Sequence, residues 1–251
     1  MTAGLVVVIT LLGIALVVFW IEPLGVLGVF EKVTPNIIYR VRTERPLVAL
    51  SFDDGPHPEF TPQVLEILMR SDARATFFLI GERALQYPDV VSRIRAGGHE
   101  VGNHYFSNGA TLLDSDAEFA VNLEKTENAL GMSTRRKLFR PPGGLAWSRQ
   151  LRIARAKGYA CVLGCAYPHD PMRPPVWYIE WLIAKNLRPG SIVILHDGIS
   201  DPRRSIQALP HILCAGRERG LQFVSIGELL QAKREQTDKK NDKVVLGIRL
   251  A

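Results

Sequence analysis

The chain has 251 residues, of which 47% are hydrophobic and 22% are charged, a length and composition that suit one domain of α/β-barrel size with some residues left over. The formal net charge of +6 at pH 7 favours anionic surroundings, such as lipid head groups or anionic polymers. The basic residues form no dense cluster with interleaved aromatic residues, so we expect no nucleic-acid partner.

An uncharged apolar run occupies residues 4–21. A helix over this run, rising about 1.5 Å per residue, would span most of a hydrocarbon core of about 30 Å. No Lys or Arg precedes the run and no A-x-A site closes it, so we predict a single-pass membrane anchor rather than a cleaved signal peptide. Basic residues follow the run and none precedes it, so the positive-inside rule alone favours a cytoplasmic C-terminal domain.

Residues 22–46 are predicted to form a juxtamembrane linker with one strand at 37–41. Predicted strands and helices then alternate over 47–235, which indicates a parallel sheet and most simply a closed (β/α) barrel of about seven strands. The predicted strands begin at 47, 75, 99, 137, 159, 191 and 222, and the predicted helices at 61, 88, 116, 148, 176, 205 and 226. The C-terminal tail, 236–251, fits either an extra strand or a disordered segment.

The three cysteines indicate neither a disulfide nor a zinc site. Cys161 and Cys165 lie on one predicted strand with their Cα atoms about 13 Å apart, which is beyond disulfide reach. Cys214 lies in an apolar helical stretch, and no CxxC pair is present. We predict three inert core thiols.

Two adjacent carboxylates, Asp53 and Asp54, end the first buried strand and are followed by Gly55 and Pro56. Adjacent strand residues point to opposite faces, so the two carboxylates share a bound group only if the chain bends there, which Gly55 permits. The stretch alone fits an ordinary Asp-Asp-Gly turn as well as a site. Its place at the carboxyl end of a buried parallel strand is where α/β folds carry their chemistry.

Other predicted strands end in polar residues that a barrel would bring to the same face. His104 and Asn108 lie four residues apart, and His104 with Asp54 would give the mixed nitrogen and oxygen donors that a divalent metal prefers. Arg140 precedes Pro-Pro-Gly-Gly, where its guanidinium could hold Asp53 ionised through bidentate hydrogen bonds. Each of these residues, taken alone, also fits an ordinary loop position.

Two more strand ends carry an acid or an imidazole. Asp170 lies between two prolines in AYPHDP, where a plain turn is the simpler interpretation. His196 and Asp197 end the apolar strand IVILHD. A buried strand has no structural need for that pair, so we interpret it as functional.

The stretches SFDDGP, GHEVGNH, RPPGG and LHDG, in this order and spacing, resemble the polysaccharide deacetylase family, which includes chitin-oligosaccharide and peptidoglycan N-acetylglucosamine deacetylases and shares the NodB homology domain. The resemblance covers about 45 to 230. It implies a distorted (β/α) barrel and metal-dependent hydrolysis of N-acetyl groups on an amino-sugar polymer or oligosaccharide of the cell envelope. It also implies that the domain faces outward, in conflict with the positive-inside rule.

By the same resemblance, Asp53 matches the general base and His196 the general acid. Arg140 matches the partner of the base, and Asp170 matches, less closely, the carboxylate that tunes the acid.

The remaining family positions concern the metal and the oxyanion. Asp54 and His104 match metal ligands, and Asn108 stands where the family has a second histidine. The expected cofactor is a divalent metal, with zinc as the first candidate. The metal together with a backbone N–H near Gly143 would hold the tetrahedral oxyanion.

The chain departs from the family at three places. Asn108 offers a neutral amide oxygen, which is a weak zinc ligand. The segment from Tyr167 to Pro171 lacks the family's first acid and its tryptophan, and Gly143 stands where an aromatic residue often lies. We therefore expect an altered sugar-binding cleft.

Two alternatives stay open. The anchor suggests a deacetylase or deformylase of a lipid-linked sugar. The departures suggest a weakly active or inactive, membrane-tethered carbohydrate-binding protein, although such a protein has no use for a base-and-acid pair. The sequence does not specify the sugar, its chain length or the oligomeric state.

Overall fold

A computed structural model describes residues 20–21, 24–109, 111–132, 137–198 and 201–249, with side chains described as far as 238. The predicted anchor over 4–21 therefore lies outside the described residues except for Trp20 and Ile21. Within the described ranges, no helix has both the length and the apolar character needed to cross a membrane.

The described chain is built around a parallel sheet. The strands are β1 (Ile37–Ile38), β2 (Leu47–Gly55), β3 (Thr76–Leu79), β4 (Glu100–Asn103), β5 (Lys137–Phe139), β6 (Tyr159–Val162), β7 (Ile192–His196) and β8 (Gln222–Val224). They pair in the order β1-β6-β5-β4-β3-β2-β7, with β8 paired to β2 outside this path. Every pairing is parallel.

The residues that follow β6 pair with β7, and so connect strands that lie far apart in the strand order. An isolated bridge pairs Ala166 with Val193 of β7. The Cys165 N–H donates to the Ile192 carbonyl at 3.0 Å, and the Ile194 N–H donates to the Ala166 carbonyl at 3.0 Å. The sheet is therefore a distorted and incompletely closed barrel, which confirms the predicted α/β class and parallel strands.

Helices connect the strands along the outside of the sheet. They are α1 (Leu24–Val33), α2 (Phe60–Arg70), α3 (Gly81–Gln86), α4 (Pro88–Ala96), α5 (Asp116–Ala129), α6 (Ser148–Ala156), α7 (Val176–Asn186), α8 (Arg203–Glu218) and α9 (Ile226–Arg249). The short α3 was not predicted. Because α9 runs to Arg249, the described part of the tail is neither a strand nor disordered.

The segment predicted as a linker is part of the fold. It contains α1 and β1, so the strand predicted at 37–41 is confirmed only over its first two residues. Tyr39 and Val41 are buried, and the Val41 N–H donates to the Gly190 carbonyl at 2.8 Å. A barrel cut off before residue 47 would lose these contacts.

Apolar residues of β2 and β3 pack on both faces of the sheet. Leu50 and Phe52 of β2 and Phe77 of β3 are almost fully buried. The Phe52 and Phe77 rings stack with their centroids 5.1 Å apart. Burying such a side chain stabilises the fold by about 1.5–3 kcal/mol. This packing therefore stabilises the strands whose carboxyl ends carry the polar residues.

Two of the three cysteine predictions hold. Cys161 and Cys165 are buried, whereas Cys214 is exposed. The prediction for Cys214 is wrong because it lies on the solvent side of the amphipathic helix α8, where its thiol contacts Glu218 one turn further along.

Candidate active site

Ionisable side chains from four strand ends meet at the carboxyl edge of the sheet. Asp53 and Asp54 belong to the end of β2, and His104 and Arg140 directly follow β4 and β5. His196 ends β7 and lies opposite Asp53 in the β2–β7 ladder. Parallel pairing alone therefore sets the carboxylate of Asp53 beside the imidazole of His196.

The chain bends at Asp54. This residue has φ +69°, and the β2–β3 register shifts between Asp53 and Gly55. The sequence indicated a bend here but assigned it to Gly55. A non-glycine residue in the left-handed region costs on the order of 1–3 kcal/mol, which the surrounding contacts must offset. The bend lets Asp53 approach Arg140 while Asp54 approaches His104.

The Arg140 guanidinium is buried and contacts Asp53 through one nitrogen. Its Nη1 donates to Asp53 Oδ1 at 2.6 Å and to Ser51 Oγ at 2.8 Å. Its Nε and Nη2 donate to the carbonyls of Val162 and Leu163 at 3.1 and 2.7 Å. The predicted bidentate pair is therefore wrong, because two of the three nitrogens bind backbone carbonyls at the end of β6.

The ring of Phe78 packs against this guanidinium, and the Arg140 Cζ atom lies 4.1 Å from the ring centroid. Phe78 in turn packs against Gly102, where an added Cβ would lie 2.6 Å from the ring. A side chain at residue 102 would push the ring, and the ring would push the guanidinium. Gly102 thus supports the position of Arg140 through van der Waals contact alone.

Asp54 and His104 form the pair that fits a cation. His104 Nδ1 lies 2.8 Å from the Arg140 carbonyl, which can only accept, so Nδ1 carries a proton. In the neutral ring, Nε2 then presents its lone pair to Asp54 Oδ1 at 3.3 Å. Two acceptors that face each other at this distance are stabilised by a cation between them, and the carbonyl on Nδ1 is the partner typical of a metal-bound histidine.

Asn108 lies in an exposed bend, four residues after His104. Within the described part of the chain, no group of three or more His, Cys, Asp or Glu side chains is close enough to form a metal cage. The donor set that the structure brings together is therefore the pair Asp54 and His104.

A second buried pair lies beside Asp53. His196 Nδ1 and Asp170 Oδ1 are 2.9 Å apart, and the other Asp170 oxygen accepts from the His196 N–H at 2.9 Å and from Ser205 Oγ at 2.7 Å. Burial by itself would lower the pKa of His196. The charge and hydrogen bond of Asp170, together with Asp53 and Asp54, outweigh burial and raise this pKa to about 9.

Asp197 and Thr61 tie the bend of β2 to the end of β7. Thr61 Oγ1 donates to Asp197 Oδ2 at 2.5 Å and accepts from the His57 N–H at 2.8 Å. The helix predicted to begin at 61 begins one residue earlier, because α2 starts at Phe60 with Glu59 as its N-cap. Burial raises the pKa of Asp197 to about 7, against the effect of the Thr61 hydrogen bond.

Sequence reasoning gave no role in the site to Ser51, Thr61 or Ser205, whereas Asp197 was interpreted as functional together with His196. Asp197 carried one signal, since it ends an apolar strand beside His196. The three hydroxyl residues carried none, because their partners lie far away in sequence.

Two further predicted positions flank these pairs. Gly143 is exposed and has φ +65°. It lies in the short turn Pro142–Gly144, which follows Arg140 and Pro141. The Tyr167 ring lies with its centroid 5.8 Å from that of His196. The altered family segment therefore does form one wall beside this imidazole.

Comparison with known proteins identifies relatives over most of the chain. The sequence profile described as polysaccharide deacetylase matches residues 40–162. The chain is 37% identical over 210 residues to a peptidoglycan-N-acetylglucosamine deacetylase of Bacillus cereus, covering 80% of this chain and 95% of that protein. It is 35% identical to a chitooligosaccharide deacetylase of Azorhizobium caulinodans, covering 70% of this chain and 81% of that protein.

Solved structures share the fold. The Bc1960 peptidoglycan N-acetylglucosamine deacetylase matches with a TM-score of 0.75 and 30% identity, covering 80% of this chain and 95% of that one. A CE4 family pseudoenzyme from Bacillus anthracis matches with a TM-score of 0.71 and 27% identity, covering 78% of this chain and 69% of that one. The fold is thus shared with both active and inactive proteins.

The His196–Asp170 pair can be tested without a substrate. NMR can follow the titration of the His196 imidazole in metal-free protein, and we expect a pKa of about 9. Asp170→Asn removes the stabilising charge and should lower this pKa by about one unit or more. The matched control Asp116→Asn, at an exposed position on α5, should leave it unchanged. An unchanged His196 titration in Asp170→Asn would refute the assignment of Asp170.

Proposed function

Since the chain belongs to the polysaccharide deacetylase family, we propose that it is a metal-dependent hydrolase that removes N-acetyl groups from an amino-sugar polymer of the cell envelope. The observation that carries the proposal is the ladder pairing of Asp53 with His196, each with its own buried partner. Amide hydrolysis needs a base to activate water and an acid to protonate the leaving amine. The two buried pairs supply these opposite functions side by side.

Arg140 and Asp170 give Asp53 and His196 their proposed roles. Asp53 lies against the Arg140 cation, so its carboxylate is available to accept a proton from the attacking water. His196 carries a pKa of about 9, so it is protonated near neutral pH and can donate to the leaving sugar amine. Because Asp170 occupies Nδ1, the donated proton comes from Nε2. As pH rises through the pKa of His196, activity should fall.

Asp54 and His104 would hold the divalent metal that the family's chemistry implies. When bound, such an ion polarises a carbonyl oxygen and lowers the pKa of bound water. Asp54 reaches the site through its left-handed bend, and His104 is oriented by the Arg140 carbonyl. The backbone N–H near Gly143 is the proposed protein donor to the oxyanion. Zinc is the proposed metal because imidazole and carboxylate suit it.

A second candidate function is a carbohydrate-binding protein with little or no activity. Asn108 favours this candidate, since the residue is neutral and exposed where the family has a histidine. The likeness to a pseudoenzyme also favours it. The retained pairs of Asp53 with Arg140 and His196 with Asp170 favour the enzyme, because binding alone needs neither.

The proposed function is tested by acetate release. Full-length protein with a divalent metal, incubated with peptidoglycan or N-acetylglucosamine oligomers, should release acetate. His196→Ala should cost roughly two to four orders of magnitude in kcat/KM, as should Asp53→Asn. His211→Ala, at an exposed position on α8, serves as the control.

Asp53→Asn also leaves a buried guanidinium without its carboxylate, which costs about 3–5 kcal/mol, so its folding must be verified. Binding of the oligomers with no acetate release would support the second candidate. Release of acid only from a lipid-linked N-acetyl or N-formyl sugar would identify a different substrate.

Metal affinity tests the place of Asn108. Asn108→His should tighten zinc binding about tenfold or more, measured by competition with a chelator, if the new imidazole joins Asp54 and His104. Asn128→His, at an exposed position on α5, adds the same imidazole elsewhere and should leave zinc affinity unchanged. His104→Ala should weaken binding. Equal or weaker affinity in Asn108→His would place residue 108 outside the metal site.

We also propose that residues 4–21 anchor the chain in a membrane with the barrel outside the cytoplasm, where envelope polymers lie. The supporting observations are the uncharged run itself and the similarity to peptidoglycan deacetylases. Protease added to intact cells should then digest the barrel while cytoplasmic markers survive. Complete protection of the barrel would instead support a cytoplasmic lipid-linked substrate.

A further inference from the structure

The outer face of α7 carries large aromatic side chains that the fold does not bury. Trp177 is 65% exposed and Trp181 is 44% exposed, and their spacing of four residues puts them on one side of the helix. The opposite side packs inward through Ile179, Leu182 and Ile183, which are fully buried. The tryptophans therefore serve neither the core nor the pairs around His196.

The end of the uncharged run is fixed against this same helix. The Trp20 carbonyl accepts from the Tyr178 hydroxyl at 2.5 Å, and the two rings pack edge to face with centroids 5.5 Å apart. The Ile21 carbonyl accepts from Lys185 Nζ at 2.7 Å. Trp20 and Ile21 are thus held against α7 by two side chains that lie two turns apart on that helix, Tyr178 and Lys185.

Basic residues continue beyond the C-terminal end of α7, toward the amino ends of the strands. Lys185 lies 5.2 Å from the Trp181 ring centroid, and exposed Arg188 follows one turn later. Arg188 also lines a cleft of about 460 Å³ with Arg42 and Lys233. The acidic residue that lines this cleft is Glu44, so basic groups predominate there.

We propose that this α7 face, formed by Trp177, Trp181 and Lys185, is a membrane-contact surface that rests on an anionic bilayer. The proposal rests on the membrane anchoring proposed above. Indole rings favour the headgroup region of a bilayer, and neighbouring basic residues are attracted to anionic lipids. An anchor that enters the bilayer next to Trp20 brings these side chains to that region.

The contact would fix how the barrel lies on the membrane. α7 begins after Asp170, at the carboxyl ends of the strands, and ends before β7, at their amino ends. It therefore runs along the wall of the barrel. A bilayer that touches this wall holds the barrel on its side, so the His196 edge opens along the membrane surface rather than away from it.

Fluorescence of the four tryptophans can test the contact directly in the full-length chain. Two reporter proteins share the change Trp20→Phe. One also carries Trp147→Phe, which leaves Trp177 and Trp181 as emitters. The other carries Trp177→Phe and Trp181→Phe, which leaves Trp147, a 55% exposed residue between β5 and α6.

Both reporters are reconstituted in vesicles of phosphatidylcholine and phosphatidylglycerol, with and without bromine on the acyl chains. Bromine should reduce emission from Trp177 and Trp181 on the order of twofold, since interfacial indoles lie near the upper acyl chains. Emission from Trp147 should stay unchanged. Replacing phosphatidylglycerol with phosphatidylcholine should weaken the quenching of the first reporter.

The alternatives give different results. If the protein cosediments with vesicles but neither reporter is quenched, the anchor stands and the contact surface is refuted. If the protein does not cosediment, both anchor and contact are refuted. If Trp177→Ala with Trp181→Ala raises KM for the polymer and the first reporter is not quenched, the face binds sugar instead. Acetate release is measured separately, so its absence would refute the proposed function and not the contact.

Discussion

The buried guanidinium of Arg140 is the constraint on which the rest of the site depends. Moving such a cation out of water carries an effective cost of several kcal/mol unless charge and hydrogen bonds compensate for it. Asp53 compensates the charge, and Ser51 and the carbonyls of Val162 and Leu163 take the other donors. These partners come from β2 and from the end of β6. The cation therefore holds together three strand ends that the backbone ladders do not all join.

The strand register converts this local constraint into chemistry. Asp53 is fixed by Arg140, and the β2–β7 ladder places His196 opposite it. The negative charge of Asp53 favours the protonated form of His196, and Asp170 adds a second, closer charge. In the proposed mechanism, this one arrangement supplies both Asp53 as the base and His196 as the acid.

The strands and the identity of Asp53, Asp54, His104, Arg140 and His196 as candidates could be predicted because the signals are local. An apolar run that stops at a polar residue is visible in a short stretch of sequence. The partners Ser51, Ser205 and Thr61 could not be predicted, because each meets its partner only once the barrel has formed. The same reason explains the single Arg140–Asp53 contact, since the carbonyls after β6 compete for the guanidinium and nothing in the sequence shows their position.

Asn108 lies in an exposed bend, apart from the buried charged residues of the site. The buried constellation of Asp53, Arg140, His196 and Asp170 is held by contacts in which residue 108 takes no described part. A change at an exposed bend leaves the cost and compensation of those buried charges as they were. The buried charges therefore constrain one another, whereas residue 108 takes no described part in that constraint. A change at residue 108 can then leave the buried pairs of Asp53 with Arg140 and of His196 with Asp170 intact.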